Sequence, residues 1–455
     1  MRNHLRLVAV LLGIPAVSAA QSLPIPLPKS LIFPNYDNVL VGQNQALEAG
    51  AYIARAGDAS ANFYNPAGLV VSEKTSLDAS STGYVVTRID SETLNTSITS
   101  TKIDAVPGYF GIVIAPPFTD SRNLRFGASI TRGVAWSPGP IDETTDAPDF
   151  ATIDRITYST EASFQTLVYQ IAGAWAPVAD RSLRLGLAVG LSQTSYSAES
   201  TFSGQLSLGG QPSHFLSTLR TEANEWDVIF TLGAQWEILR GLTLGALVRS
   251  SGLRIGSGSL LTYESAFLRP DTPTSSFFRD ENGQFQYKQP WEASLGIAYH
   301  FGVAELEADL RFHDAVSSYS FYHSNEPLQI FSLNPDGTIT TSTQPAPTIT
   351  YSARRVYNVA AGGNVKLSRI LTLHGGFYAT FSPVADPATS PLRQADLYGF
   401  TGGLDFQLEH FGASLGAGYQ FGTSASVPST ISDQELPSKV KLEAISVFYA
   451  ISYQF

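Results

Sequence analysis

The sequence contains no cysteine, and its one methionine is the first residue. Disulfide frameworks, thiolate metal sites and cysteine nucleophiles are therefore excluded. Charge is scarce too: Asp, Glu, Lys and Arg make up 15% of the 455 residues, against about 25% in ordinary soluble domains. What charge there is runs acidic, with a formal net charge of −11. Without a basic surplus to neutralise phosphates, a nucleic-acid partner is excluded. Past the first twenty residues no apolar run reaches the roughly 18 to 20 residues a spanning helix needs. The seven histidines include no pair at His-x-x-x-His spacing, and there is no Gly-x-Ser-x-Gly elbow or phosphate loop. No catalytic residue, metal site or cofactor is expected, and the chain reads as a non-enzyme. His300 and His313 read as ordinary polar residues near strand ends.

Residues 1–20 form a secretory signal. Arg2 and Arg6 give a basic start, Leu7 to Val17 is apolar, and Ser18, Ala19 and Ala20 are the small residues of a cleavage site. A proline-rich extension follows over 21–40, with Pro24, Pro26, Pro28 and Pro34.

From residue 73 to 455 the dominant pattern has period two. Leu183, Leu185, Leu187, Val189 and Leu191 alternate with small or polar neighbours, and Trp291 to Phe301 and Phe411 to Phe421 do the same. The apolar stretches run about nine to eleven residues, the length of a tilted membrane-crossing strand. Aromatics gather at their ends, as in an interfacial girdle. The other face is rich in glycine and serine with scattered carboxylates, which suits a solvated lumen. Fourteen strand centres can be placed, near residues 82, 111, 128, 170, 188, 230, 247, 296, 308, 360, 376, 403, 416 and 448. Short links alternate with long Ser/Thr/Pro/Asp-rich ones at 134–157, 197–223, 255–286, 313–351, 382–396 and 422–439. That is the habit of outer-membrane barrels, with short periplasmic turns, long outside loops and both termini periplasmic. The fold expected is all-β, a 14-stranded antiparallel transmembrane barrel. The last strand ends on Tyr453 and Phe455, which resembles the signal read by barrel-assembly machinery.

Residues 41–72 do not alternate. Ala46 to Ala56 could form a short helix weakened by Gly50, and Asn65-Pro66 marks a turn closed by Gly68. The stretch from Gly57 to Leu69, centred on Asn65-Pro66-Ala67, resembles the N-terminal hatch of the FadL family of long-chain fatty-acid and aromatic-hydrocarbon transporters. Gly241 to Gly245, Pro290 to Tyr299 with Ala308-Asp309-Leu310, and Leu371 to Gly376 look similar as well. The resemblance implies a barrel plugged by a hatch built on Phe63, Asn65, Pro66, Ala67 and Gly68. A hydrophobic ligand would displace it and leave sideways at a kink in the third strand, for which Gly127 and Gly133 are the cheapest positions. The twenty or so proline-rich residues before the hatch depart from the family's usual layout. If the alternation holds, Arg125, Arg184, Arg249 and Arg311 face inward, the first three being candidates to hold a ligand carboxylate. Arg311, close to Asp309, reads as structural. The expected surroundings are outer-membrane lipid and lipopolysaccharide. A FadL-like barrel acting as an adaptor in protein secretion or surface attachment is the alternative, and a general diffusion porin is disfavoured because an open pore needs no plug.

Overall fold

The computed structural model describes residues 35–91, 96–103, 108–116, 123–137, 141–146, 153–208, 211–268, 273–334, 336–345, 348–385, 395–424, 427–428, 435–436 and 440–455. The signal segment and most of the proline-rich extension lie outside the described residues.

Fourteen strands make the barrel wall: β1 (Ser76–Ser91), β2 (Tyr109–Ile114), β3 (Leu124–Trp136), β4 (Ile153–Trp175), β5 (Leu183–Leu208), β6 (Gln211–Leu239) and β7 (Leu242–Arg249), then β8 (Glu292–Phe301), β9 (Ala304–His313), β10 (Val356–Lys366), β11 (Leu371–Thr380), β12 (Asp396–Gln407), β13 (Phe411–Ser424) and β14 (Val440–Gln454). Each pairs antiparallel with the next. β14 closes the ring on β1, from Ser76 opposite Gln454 to Ser91 opposite Val440. All fourteen strand centres expected from the alternation fall inside these strands.

Period two decides which face each side chain takes. Ile171, Leu187 and Leu295 stand 68%, 50% and 61% exposed, while Gln170, Ala188 and Ser294 beside them are buried inside. An outer wall this apolar, closed so that no strand edge is left unpaired, is built for lipid rather than water. No helix among the described residues is long and apolar enough to cross a membrane, so the crossing is made by strands.

The long links differ from expectation. β5 and β6 are 26 and 29 residues long, against the roughly 9 to 11 that span a bilayer. Their pairing continues from Leu183 opposite Trp236 to Leu208 opposite Gln211, so the stretch 197–223 is a projecting hairpin rather than an irregular loop. Alternation persists there with polar residues outside, as at Thr218, Arg220 and Glu222, because this part stands beyond the hydrocarbon. Leu253–Leu268, Thr274–Asp280, Leu328–Leu333 and Ile339–Gln344 widen the projecting sheet. A small separate sheet of Gln284–Phe285, Val316–His323 and Thr348–Ala353 packs Phe285 and Phe321 against Tyr196 of β5, with ring centroids 6.0 and 5.4 Å from it.

Replacing an outward side chain in the middle of the wall tests this placement. Leu187→Arg is expected to destabilise the barrel folded into lipid vesicles by about 2–4 kcal/mol, read from urea unfolding. A loss near zero would mean that this face does not meet hydrocarbon.

A plug held by asparagine amides and an internal cavity

Residues 35–72 pack against the inward face of the wall, and most are buried. The packed unit therefore begins at least at Asn35, six residues before the expected hatch boundary of 41. Asn35 donates to Thr380 O and Ala395 O, both at 3.0 Å. Those carbonyls lie at the end of β11 and the start of β12 farthest from the short turns. The described chain thus starts inside the bore toward the long connections, whereas Phe455 lies at the short-turn end.

No helix forms over Ala46–Ala56. Asn44 to Gly50 is a series of turns, because Ala49 and Gly50 both take positive φ (56° and 77°) and break the helical path. Instead the segment has one turn of helix, α1 (Ala61–Tyr64), and a 3-10 helix over Pro66–Val71. Asn65 caps the latter by accepting from Ala67 N–H at 3.2 Å, with Pro66 at the first position, where no N–H is needed.

The Asn65 amide also donates to Ala234 O (3.0 Å) and Ala246 O (3.3 Å), residues directly opposite each other on β6 and β7. Asn62 does the same to Ile112 O and Ala128 O at 3.2 and 3.4 Å, an opposed pair on β2 and β3. A strand carbonyl already bonded in the ladder has a second lone pair, and these amides use it. The approach needs wall positions without side chains. A Cβ at Gly233 would overlap Asn65, and one at Gly186 would overlap the Pro66–Ala67 backbone. Gly127 belongs here too, since a Cβ there would overlap Asn62. β3 keeps its register at Gly127, which is therefore a seat for the plug rather than a kink. The register of β3 against β4 shifts between Arg132 and Ala135, which places the break at Gly133 and Val134.

Charge holds the rest of the plug. Arg55, nine-tenths buried, pairs with Glu48, with Glu305 at 3.3 Å and with Glu307 at 2.8 Å. Glu307 and Asp309 on β9 accept from the N–H groups of Ala54 (2.5 Å) and Tyr52 (2.9 Å). His313, read from sequence as an ordinary polar residue, is buried and donates to Asp37 at 2.9 Å. Arg311 lies 3.4 Å from the same carboxylate and, as expected, serves structure by bonding Gly50 O as well. Burial alone would raise the Asp37 pKa, but His313 and Arg311 outweigh it and hold the carboxyl well below its usual range.

The three arginine candidates have separate places. Arg125 is buried and donates to Ser72 O (2.8 Å) and Glu73 O (3.3 Å). Arg184 donates to Arg181 O and Gln235 Oε1, both at 3.1 Å. Both therefore serve the short-turn end. Arg249 pairs with Glu292 (2.6 Å), donates to Phe63 O (2.9 Å), and its guanidinium lies 4.9 Å from the Phe63 ring centre. Of the three it alone lines an internal cavity of about 70 Å³, whose walls include Phe63, Gly133, Val134, Ile229, Tyr287, Asp37 and His313. Its lining mixes charged groups, Asp37, Arg249, Glu292 and His313, with apolar ones. It has room for a few waters but not for a long alkyl chain unless the plug shifts. Sequence reasoning missed Asp37, Arg55, Asn62 and Asn358. The run Asn35-Tyr36-Asp37-Asn38 was the available signal, being unusually rich in amide and carboxylate side chains for an extended leader.

This is a closed membrane β-barrel with an N-terminal segment folded into its bore. No family model matches the chain, and no curated protein matches its sequence. Solved structures do match its fold. A FadL homologue of Pseudomonas aeruginosa aligns with TM-score 0.56 and 14% identity over 93% of this chain and 100% of that one. The toluene transporter TodX of P. putida aligns with TM-score 0.56 and 16% identity over 91% and 98%. The monoaromatic-hydrocarbon channel CymD gives 0.56 and 11% over 91% and 97%. The chain has the fold of the FadL family.

The Arg55 cluster yields a direct expectation. Arg55→Met takes the guanidinium away from buried Glu307 and leaves Glu48 with only His374 and Asn364 among the partners described, a cost of about 3–5 kcal/mol. Amide exchange over residues 45–56 should accelerate while β5 and β6 stay protected. Unchanged exchange in 45–56 would show that the cluster does not hold the plug.

Proposed function

We propose that this chain is an outer-membrane channel of the FadL family that takes up hydrophobic small molecules, long-chain fatty acids or aromatic hydrocarbons. One observation carries the reading: the packed N-terminal segment fills the bore yet leaves a cavity of mixed apolar and charged character beside the break in β3. An open water pore would need neither. The structural neighbours named for toluene and monoaromatic hydrocarbons support a hydrophobic ligand.

In this reading residues 35–72 act as a hatch. Phe63 shields the cavity, and Asn65, Pro66, Ala67 and Gly68 seat the hatch in the wall. A ligand reaching the cavity shifts the hatch and leaves sideways at Gly133. Lateral exit suits an apolar molecule, because passing from the lumen into the bilayer spares it the cost of entering water. Arg249 is the inward arginine placed to meet a ligand's polar end. The short turns and the C-terminus face the periplasm, and the long connections face outward. Phe455 and Tyr453, both exposed at the short-turn end, are read by the barrel-assembly machinery, and the outer wall meets lipid and lipopolysaccharide. The chain performs no catalysis and carries no cofactor.

Uptake of radiolabelled oleate and of toluene by cells lacking their own outer-membrane transporters tests the reading. Expression of this chain should raise uptake of at least one of them, with saturation. No rise in either, with the protein shown to be folded in the outer membrane, would overturn it.

A further inference from the structure

Five short turns of the barrel are described in full. Each carries a large aliphatic side chain where a turn standing in water would carry a polar one. Val178, Leu239, Val303, Ile370 and Leu408 are between 41% and 66% exposed. Four of them follow the last exposed aromatic of the wall by two or three residues: Val178 after Trp175, Leu239 after Trp236, Val303 after Phe301 and Leu408 after Phe406. On a tilted strand rising about 3.3 Å per residue, that puts the tips roughly 5–8 Å past the aromatic girdle. The headgroup layer is about 5–7 Å thick on each side of the hydrocarbon. The tips therefore end at the level of lipid phosphates rather than in free water.

Main-chain bonds stitch these turns into one rim. Glu237 N–H donates to Ser182 O (2.8 Å), His300 N–H to Gly241 O (2.8 Å), Lys366 N–H to Val303 O (2.8 Å) and Gln407 N–H to Ile370 O (3.0 Å). Side chains on the rim are thus carried at fixed positions relative to one another.

Charge on the rim is arranged unlike charge elsewhere. At the long-connection end, Arg220, Arg279 and Arg355 each have a carboxylate at 2.5 to 2.8 Å. On the turns joining β6 to β11, Arg240, Lys366 and Arg369 are exposed. None of these three side chains has an ion-pair or hydrogen-bond partner among the described residues. The carboxylates closest to those turns are already engaged. Glu237 accepts from Gly241 N–H at 3.1 Å and lies 3.9 Å from Arg184, and Glu305 meets Arg55 and His300 at 3.3 and 3.1 Å. Asp180 and Glu409 sit on the flanking turns. A sector of cations without protein counter-ions, level with phosphates and continuous with the apolar wall, calls for anions from the membrane.

We infer that the rim from β6 to β11 is a binding surface for anionic phospholipids. Leu239, Val303 and Ile370 reach the first methylenes of the acyl chains, and Arg240, Lys366 and Arg369 meet the phosphates. A zwitterionic lipid brings its own ammonium to its phosphate, so the surface prefers a lipid whose phosphate lacks one. With the short turns facing the periplasm, the lipids belong to the inner leaflet. The inference needs the barrel to stand in lipid and is independent of what the channel carries.

Native mass spectrometry tests the preference. The full chain is released from detergent micelles holding equal amounts of phosphatidylglycerol and phosphatidylcholine. The parent should retain phosphatidylglycerol over phosphatidylcholine by about fivefold or more. The combined variant Arg240→Gln, Lys366→Gln and Arg369→Gln should retain both equally, while Arg220→Gln with Arg279→Gln should keep the parent's preference. Heat-dependent gel mobility checks that each variant is a folded barrel. Because the chain has no cysteine, Leu239→Cys, Leu408→Cys and Thr340→Cys each give one site for a bimane label in phosphatidylglycerol vesicles. Iodide should quench the label at 340, on an exposed outer strand, far more than at 239 or 408. Equal retention of the two lipids by the parent, or a preference that survives the triple change, overturns the inference. Equal quenching at all three sites also overturns it, and shielding at 239 and 408 that appears only in isolated outer membranes assigns the rim to a protein instead. The channel reading stands in each case.

Discussion

Peptide groups in the membrane-spanning wall and in the segment packed inside it have to find partners away from bulk water, and that constraint organises both. In hydrocarbon an unpaired N–H or C=O costs several kcal/mol, so the sheet must close, as β14 does on β1. Closure uses one lone pair of each ladder carbonyl and leaves the other. The plug is attached through that remainder. Asn35, Asn38, Asn62 and Asn65 each turn an amide onto wall carbonyls, and Asn358 returns the arrangement from the wall to Tyr36 O at 3.3 Å. Asparagine fits this role because its side chain is short enough to reach a strand backbone and offers two donors.

Charge adds selectivity of placement rather than bulk stability. A buried ion pair recovers little more than its own desolvation, but breaking one is expensive. Arg55 among Glu48, Glu305 and Glu307 therefore says where the plug must sit more than how strongly the barrel is held. The same logic separates the ends of the plug. Its C-terminal part is tied near the short turns through Arg125 to Ser72 O and Arg181 to Val70 O, and its N-terminal part is tied through Asp37 beside the cavity.

The wall was legible in the sequence because its physics is local. A strand with lipid on one side and lumen on the other has to alternate, and residues such as Leu183 to Leu191 show this without any partner in view. Projection of β5 and β6 beyond the membrane was harder to read, since the outer positions turn polar there and resemble a loop. The plug was legible only where its motif is compact, at Asn65-Pro66-Ala67. Its other contacts join residues far apart in the chain, such as Asp37 with His313 or Arg55 with Glu307, and no spacing announces them. Gly127 illustrates the limit: a glycine in a strand signals close approach or a bend with equal force, and only the position of Asn62 decides between them.

Residues 35–72 pack inside the bore, and a bore so filled should not pass water and ions. Ion conductance of the purified full chain in planar bilayers tests it most directly. Insertion without steady ionic current is expected, since residues 35–72 pack across the bore and the cavities described beside them hold about 70 and 180 Å³. A stable ohmic conductance of porin size from the folded, full-length protein would contradict it.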